Sequence, residues 1–183
     1  ASERAHERGT LLGGVAPGAL GPLKIKAIAV PHAGYVYSGE TAASAYALIA
    51  ARRDSIRRVV LLGPTHRVAV QGLALPDADG FASPLGTVAL DAELVAAART
   101  LPQVVVSRTA HAAEHSLEVQ LPFLQRVLDS FTLLPLAVGR ANAEEVPEVL
   151  DTLWGGAETP IVVGPDPSHS PASAAPGQIR SLI

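Results

Sequence analysis

Short apolar runs alternate along this chain with segments whose apolar residues recur at helical spacing. Seven runs rich in β-branched residues or leucine predict strands, over residues 25–30, 59–62, 72–75, 87–90, 104–107, 132–138 and 161–163. Four segments predict helices, over residues 39–53, 92–100, 116–129 and 142–154. Because right-handed crossovers return each helix over the sheet, this order favours a three-layer α/β/α fold with a mainly parallel or mixed central sheet.

Capping residues mark the predicted helix starts. Ser38 is expected to cap the first helix and Asp91 the second. Asn142 with Glu145 three residues later resembles a capping box. Pro122 either kinks the third helix or marks a late start for it.

The length and composition favour one folded domain over residues 1–183. Of these 183 residues 48% are hydrophobic and 17% charged, so burial can offset the entropy lost on ordering the chain. Residues 1–20 are interpreted as a flexible tail or loop. The sequence contains no methionine and stops soon after a polar loop, so we expect it to be incomplete at its C-terminus.

The composition also excludes several classes of function. Without cysteine the chain has no disulfide, thiolate metal site or cysteine nucleophile. No apolar run approaches the roughly 20 residues of a membrane-spanning helix, and the N-terminus lacks a signal-peptide core, so a cytoplasmic location is expected. The net charge is −3, and the basic cluster at residues 52–58 suits a helix end, so no nucleic-acid partner is expected.

Histidines follow several of the predicted strands. His32 and His66 come after the first two strands, Asp166 and His169 after the last, and His115 after the strand over 104–107. In open α/β sheets, ligands bind beyond the carboxyl ends of the strands. The sequence therefore predicts that these side chains gather at one edge of the sheet in a polar, metal-binding pocket.

The residue types suggest roles in such a pocket. Imidazole suits first-row transition metals, and two histidines with a carboxylate leave open positions on non-haem Fe(II), so His32 and His66 are the predicted metal ligands. His115 and His169 are candidate catalytic acids or bases, because imidazole titrates near neutral pH.

Carboxylates and a tyrosine complete the predicted site. Asp166 orients an imidazole or completes the coordination sphere, and Glu118 is the competing carboxylate. Tyr35 and Glu118 are the candidate substrate-binding residues.

A second pattern overlaps this site. His111-Ala-Ala-Glu114-His115 matches H-x-x-E-H, the inverted zinc-peptidase signature, which requires both histidines on one helix. Ser116 reads as the cap of the following helix, which would place both histidines before it. A zinc-dependent hydrolase is therefore kept as a minor alternative.

Five strings occur in the order found in the MEMO family: PHAGYVYSG (31–39), LGPTH (62–66), SPLG (83–86), EHSLEVQLP (114–122) and DPSH (166–169). On these strings the chain resembles that family over about residues 25–169. The resemblance implies a fold similar to the catalytic subunit of class III extradiol dioxygenases, which open catechol rings with non-haem Fe(II). It also implies iron(II) as the cofactor, with copper or zinc as other divalent metals that the site could take.

The resemblance also implies roles for individual residues. His32 and His66 match the family's two metal-site histidines, His115 matches its pocket histidine, and Asp166 with His169 matches its Asp-x-x-His pair. The family commonly supplies a cysteine from further along the chain, which this sequence lacks. Bacterial relatives are often encoded beside AMMECR-type and radical-SAM proteins, which are therefore candidate partners.

Two functions follow as expectations. The first is an oxidoreductase of extradiol-dioxygenase type acting on a small molecule of unknown identity. The second is a non-catalytic module that binds a peptide or small ligand through the same histidines and Tyr35. The sequence leaves the oligomeric state open.

Overall fold

The computed structural model describes residues 25–165, so the predicted tail over residues 1–20 lies outside the described part. The strands are β1 (Ala27–Ala29), β2 (Arg58–Pro64), β3 (Leu73–Leu75), β4 (Gly80–Ser83), β5 (Gly86–Ala89), β6 (Val104–Val106), β7 (Thr132–Val138) and β8 (Ile161–Val163). The helices are α1 (Tyr35–Ala50), α2 (Ala92–Ala98), α3 (Arg108–Ala112), α4 (His115–Glu118), α5 (Leu121–Val127) and α6 (Glu145–Thr152). Within residues 25–165, no helix combines the length and the apolar character needed to cross a membrane.

Six of these strands form one mixed sheet in the order β1-β8-β2-β7-β3-β6. The first four strands in that order are mutually parallel. Strand β3 pairs with β7 antiparallel, and β6 runs parallel to β3, so these two strands point the opposite way. Strands β4 and β5 form a separate antiparallel hairpin, of which the sequence predicted only the second strand.

Helices cover both faces of the sheet. Helices α1, α4 and α5 contribute apolar side chains to one core cluster, and α2 and α6 contribute theirs to a second. Strand β2 contributes side chains to both clusters, since Val59 and Leu61 belong to the first and Val60 and Leu62 to the second. The predicted three-layer α/β/α fold is confirmed.

Two of the predicted capping patterns are present and one is not, and α6 begins at Glu145, three residues after Asn142. The Asp91 carboxylate accepts from the Leu94 N–H at 3.0 Å, as expected of an N-cap. The Asn142 Oδ1 accepts from the Glu145 N–H at 3.0 Å, and the Glu145 carboxylate accepts from the Asn142 N–H at 2.7 Å, which makes a capping box. Ser38 does not cap α1, because its hydroxyl lies inside the first turn and donates to the Ala33 carbonyl at 2.9 Å.

The segment predicted as one helix over 116–129 is divided. It forms the short helix α4 and then α5, with Pro122 in the first turn of α5, so the late start is the correct alternative. Glu114 rather than Ser116 caps α4, since the Glu114 carboxylate accepts from the Ser116 N–H at 3.0 Å. This cap places the Glu114 side chain at the edge of the sheet where His66 lies.

Candidate metal centre

Three histidine rings converge beyond the carboxyl ends of the parallel strands. The ring centroids of His32 and His66 are 5.2 Å apart, those of His66 and His115 are 4.8 Å apart, and those of His32 and His115 are 6.2 Å apart. His32 follows β1 and His66 follows β2, and both strands run parallel to β8 between them, so their ends meet at one edge.

His115 reaches this edge by a route that differs from the expected one. The sequence analysis attributed its position to the end of the strand over 104–107, but β6 runs opposite to β2. The carboxyl end of β6 therefore points away from the histidines. Helix α3 and the turn after it bring the chain back, and His115 is the first residue of α4.

A buried carboxylate lies beside the histidine rings. Glu114 is 4% exposed and receives the His66 backbone N–H at 2.6 Å and the Ser116 N–H at 3.0 Å. Its Oε1 lies 2.8 Å from the His66 Nδ1. Burial by itself would raise the pKa of this carboxyl, but the donated hydrogen bonds and the nearby His66 outweigh it and lower the pKa to about 2. Glu114 is therefore ionised at neutral pH.

The ionised Glu114 determines how His66 is presented. A carboxylate can only accept, so the proton shared with His66 lies on Nδ1. A carboxylate that holds the second nitrogen of a histidine in this way orients the ring of a metal ligand. His115 Nδ1 lies 3.5 Å from the same carboxylate oxygen.

The donor atoms suit a first-row transition metal. One ligand atom each from His66, Glu114 and His115 lies within 4.8 Å of the other two, so this group could hold a metal ion. The His32 ring lies beside both histidines. Imidazole and carboxylate together suit Fe(II), copper and zinc, so the residues fit the kind of metal that the sequence predicts.

His111 does not belong to this cluster. Its Nε2 lies 2.9 Å from the Ala74 carbonyl oxygen, and its ring packs edge-on against Phe81 with the centroids 5.8 Å apart. Burial lowers its pKa, which favours the neutral ring. Helix α3 ends at Ala112 before Glu114 and His115, so the single helix required by the zinc-peptidase signature is absent from residues 108–118.

The predicted substrate-binding residues lie close in sequence to His32 and His115. Tyr35 begins α1 three residues after His32, and Glu118 lies three residues after His115 in α4. The Tyr35 hydroxyl donates to the Val119 carbonyl at 3.2 Å, which ties the two helices together. Burial and the charge of Glu118 raise the Tyr35 pKa, so the phenol remains a proton donor. Asp166 and His169 lie outside the described residues.

Sequence reasoning missed the structural roles of three residues in the string EHSLEVQLP. Glu114 was considered only as part of the zinc-peptidase signature, and Ser116 only as a cap. Gln120 was given no role, although its side chain is fully buried and hydrogen-bonded. The available signal was a set of polar residues inside a segment that otherwise has the apolar spacing of a core helix.

The chain is similar to known proteins over most of its length. A family model described as "Memo-like protein" matches residues 11–172. A MEMO1 family protein of Aquifex aeolicus is 38% identical over 151 residues, covering 80% of this chain and 55% of the relative. One from Methanothermobacter thermautotrophicus is 33% identical over 186 residues, covering 97% of this chain and 65% of the relative. The memo-1 homolog of Caenorhabditis elegans is 37% identical over 117 residues, covering 62% and 33%. The chain thus spans less than two thirds of the length of these relatives.

Proposed function

Because this chain belongs to the Memo-like protein family, we propose that it is a metal-binding oxidoreductase that uses non-haem Fe(II) in a reaction of extradiol-dioxygenase type. The observation that carries the proposal is the convergence of the His32, His66 and His115 rings, with the buried Glu114 beside His66 and His115. Fe(II) is the expected metal, and copper and zinc are the other divalent ions that these donors suit.

The surroundings of each histidine indicate whether it binds the metal or transfers a proton. His32 and His66 hold the metal, and Glu114 keeps the His66 ring oriented. Bound Fe(II) would supply the means to activate dioxygen and a catechol-like substrate together. His115 moves the proton, because its side chain is 48% exposed and within reach of an incoming substrate.

The remaining predicted residues keep their roles as part of the proposal. Asp166 completes the coordination sphere or orients a histidine, and His169 is a second proton carrier. Tyr35 and Glu118 contact the substrate from α1 and α4. We further propose a single-domain, cytoplasmic protein whose partners include AMMECR-type and radical-SAM proteins.

A second candidate is a non-catalytic module that binds a peptide or small ligand. The observation in its favour is the first turn of α1, where Val36 is 95% exposed and Tyr37 is 88% exposed. This turn begins three residues after His32. Exposed apolar side chains next to a polar cluster are typical of binding surfaces.

Oxygen-dependent turnover separates the two candidates. Protein loaded anaerobically with Fe(II) is mixed with oxygen and a panel of catechols, and oxygen uptake is recorded with the absorbance of ring-opened product. His115→Ala should keep its iron and lose about 100-fold or more in turnover, since it removes an acid–base group. His111→Gln is the matched control, because glutamine can also bond the Ala74 carbonyl. Iron-loaded wild-type protein that consumes no oxygen with any catechol would favour the binding module.

A further inference from the structure

A buried chain of hydrogen bonds links α1 to the loop that carries His32. The Tyr46 hydroxyl donates to the Gln120 Oε1 at 2.9 Å, and the Gln120 Nε2 donates to the Pro31 carbonyl at 3.0 Å. Tyr46 and Gln120 are both fully buried. Burial raises the Tyr46 pKa far above its ordinary value, so the hydroxyl keeps its proton and can donate.

The direction of the Gln120 amide is fixed by these partners. The Pro31 carbonyl can only accept, so the amide nitrogen must face Pro31 and the amide oxygen must face Tyr46. A reversed amide would leave the partly buried Pro31 carbonyl without its donor, which is unfavourable. Gln120 therefore has a single well-bonded orientation in this structure.

The bond to Pro31 bears directly on His32. The Pro31 carbonyl belongs to the peptide group that joins Pro31 to His32, and that group is planar from one Cα to the next. A hydrogen bond to the carbonyl oxygen restrains the plane of this peptide group. It therefore also restrains the His32 Cα, to which the imidazole side chain is attached. Pro31 has no N–H of its own, so its carbonyl is the one backbone group through which this residue can be held by hydrogen bonding.

The same segment also supports the loop of His66. The Ser116 hydroxyl donates to the Pro64 carbonyl at 2.8 Å, and Glu114 binds the His66 backbone and ring. The approach is close, since a Cβ on Gly63 would lie 2.7 Å from the Ser116 Oγ. The His32 loop and the His66 loop are thus both attached to the short stretch from Glu114 to Gln120.

We propose that Gln120 is a positioning residue that sets the place of His32 relative to His66. It acts through the Pro31 carbonyl and is itself oriented by Tyr46. The proposal rests on the proposed metal-binding function, because the benefit of fixing two imidazoles relative to each other is a preformed pair of ligands.

The test compares three variants in the apo protein and with Co(II) as a spectroscopic probe. Gln120→Leu removes both hydrogen bonds, and Tyr46→Phe removes only the bond that orients the amide. Gln125→Leu is the matched control, since that side chain lies on α5 and bonds Ser83 and the Gly86 carbonyl of the hairpin. Side-chain nitrogen NMR reports the His32 ring, and visible absorption reports Co(II) affinity and geometry.

The proposal predicts a graded effect. Gln120→Leu should shift or broaden the His32 ring signals and weaken Co(II) binding by about 10- to 100-fold, as expected when a group supporting a metal ligand is lost. Tyr46→Phe should change the His32 signals and the Co(II) affinity in the same direction by a smaller amount. Gln125→Leu should leave both the signals and the affinity unchanged. Folded Gln120→Leu protein with wild-type His32 signals would overturn the proposal.

Two further outcomes remain decisive. If Gln120→Leu does not fold, the proposal is tested by Tyr46→Phe alone. Unchanged His32 signals in Tyr46→Phe would then overturn the proposal. If the wild-type protein binds no Co(II), the proposed metal function fails, while the His32 signals of the apo variants still decide whether Gln120 positions that ring.

Discussion

His66 and Glu114 are joined by two contacts, one from the His66 backbone N–H to Oε2 at 2.6 Å and one between the ring Nδ1 and Oε1 at 2.8 Å. The pair fixes both the position of the residue and the rotation of its ring. A histidine held in this way loses little further freedom when it coordinates a metal, so the pair favours a preorganised centre.

Replacing Glu114 by glutamine should therefore weaken metal binding. Glutamine has one accepting oxygen, so it cannot receive both His66 donors as the carboxylate does. We expect metal affinity to fall by about 10- to 100-fold, measured by competition with a coloured chelator. Glu144→Gln, a change at an exposed glutamate next to α6, is the control and should leave affinity unchanged. Wild-type affinity in Glu114→Gln would show that Glu114 does not support the ligand.

Gly63 should not tolerate a side chain. An alanine Cβ there would lie 2.7 Å from the Ser116 Oγ and 3.0 Å from a Leu117 methyl carbon, within the buried core. We expect Gly63→Ala to destabilise the fold by about 1–3 kcal/mol, measured by denaturant unfolding. Gly34→Ala is the control, because its Cβ would make only an ordinary contact at 3.8 Å with Tyr37. Equal stability of the two variants would contradict the close packing of β2 against α4.

Asp91 should make the stability of the fold depend on pH. Burial raises its pKa, but the Thr132 hydroxyl at 2.6 Å, the Leu94 N–H and Arg58 outweigh burial and lower it. A lowered pKa in the folded state adds stability above the ordinary pKa of aspartate, and that stability is lost as the pH falls below this value.

The charge of Asp91 can be removed without losing a capping residue. Asp91→Asn keeps an oxygen that can accept the Leu94 N–H of the helix cap. It removes the charge together with the oxygen that receives Thr132 and Arg58, so the pH dependence of the difference is what reports the charge. We expect Asp91→Asn to lower the free energy of unfolding by about 1–2 kcal/mol at neutral pH, measured by urea unfolding. This difference should become smaller below about pH 4. A difference that stays constant from neutral to acid pH would show that the charge of Asp91 does not contribute.

The sequence predicts the layers and the edge of the fold that carries the histidines. The continuous apolar run of β2 indicates a strand buried on both faces, and Val59 and Val60 do lie in different core clusters. The helical spacing of the other segments predicts the covering layers. The positions of His32 and His66 follow from the ends of β1 and β2, because those strands are parallel.

Strand direction and long-range polar contacts are not predicted from the sequence. The pattern of a strand is the same whichever way it runs, so the reversal of β3 and β6, and hence the route to His115, came only from the structure. The role of Glu114 depends on a contact with a residue 48 positions away, which no local signal encodes.

The central claim is that His32 and His66 hold a metal, and metal content tests it most directly. Wild-type protein purified without added metal, and again after anaerobic Fe(II) loading, is compared by elemental analysis with the double variant His32→Ala, His66→Ala and with His111→Gln. We predict roughly one metal per chain in the wild type and in His111→Gln, and none in the double variant. Equal metal in the wild type and the double variant, or none in the wild type after loading, would contradict the account.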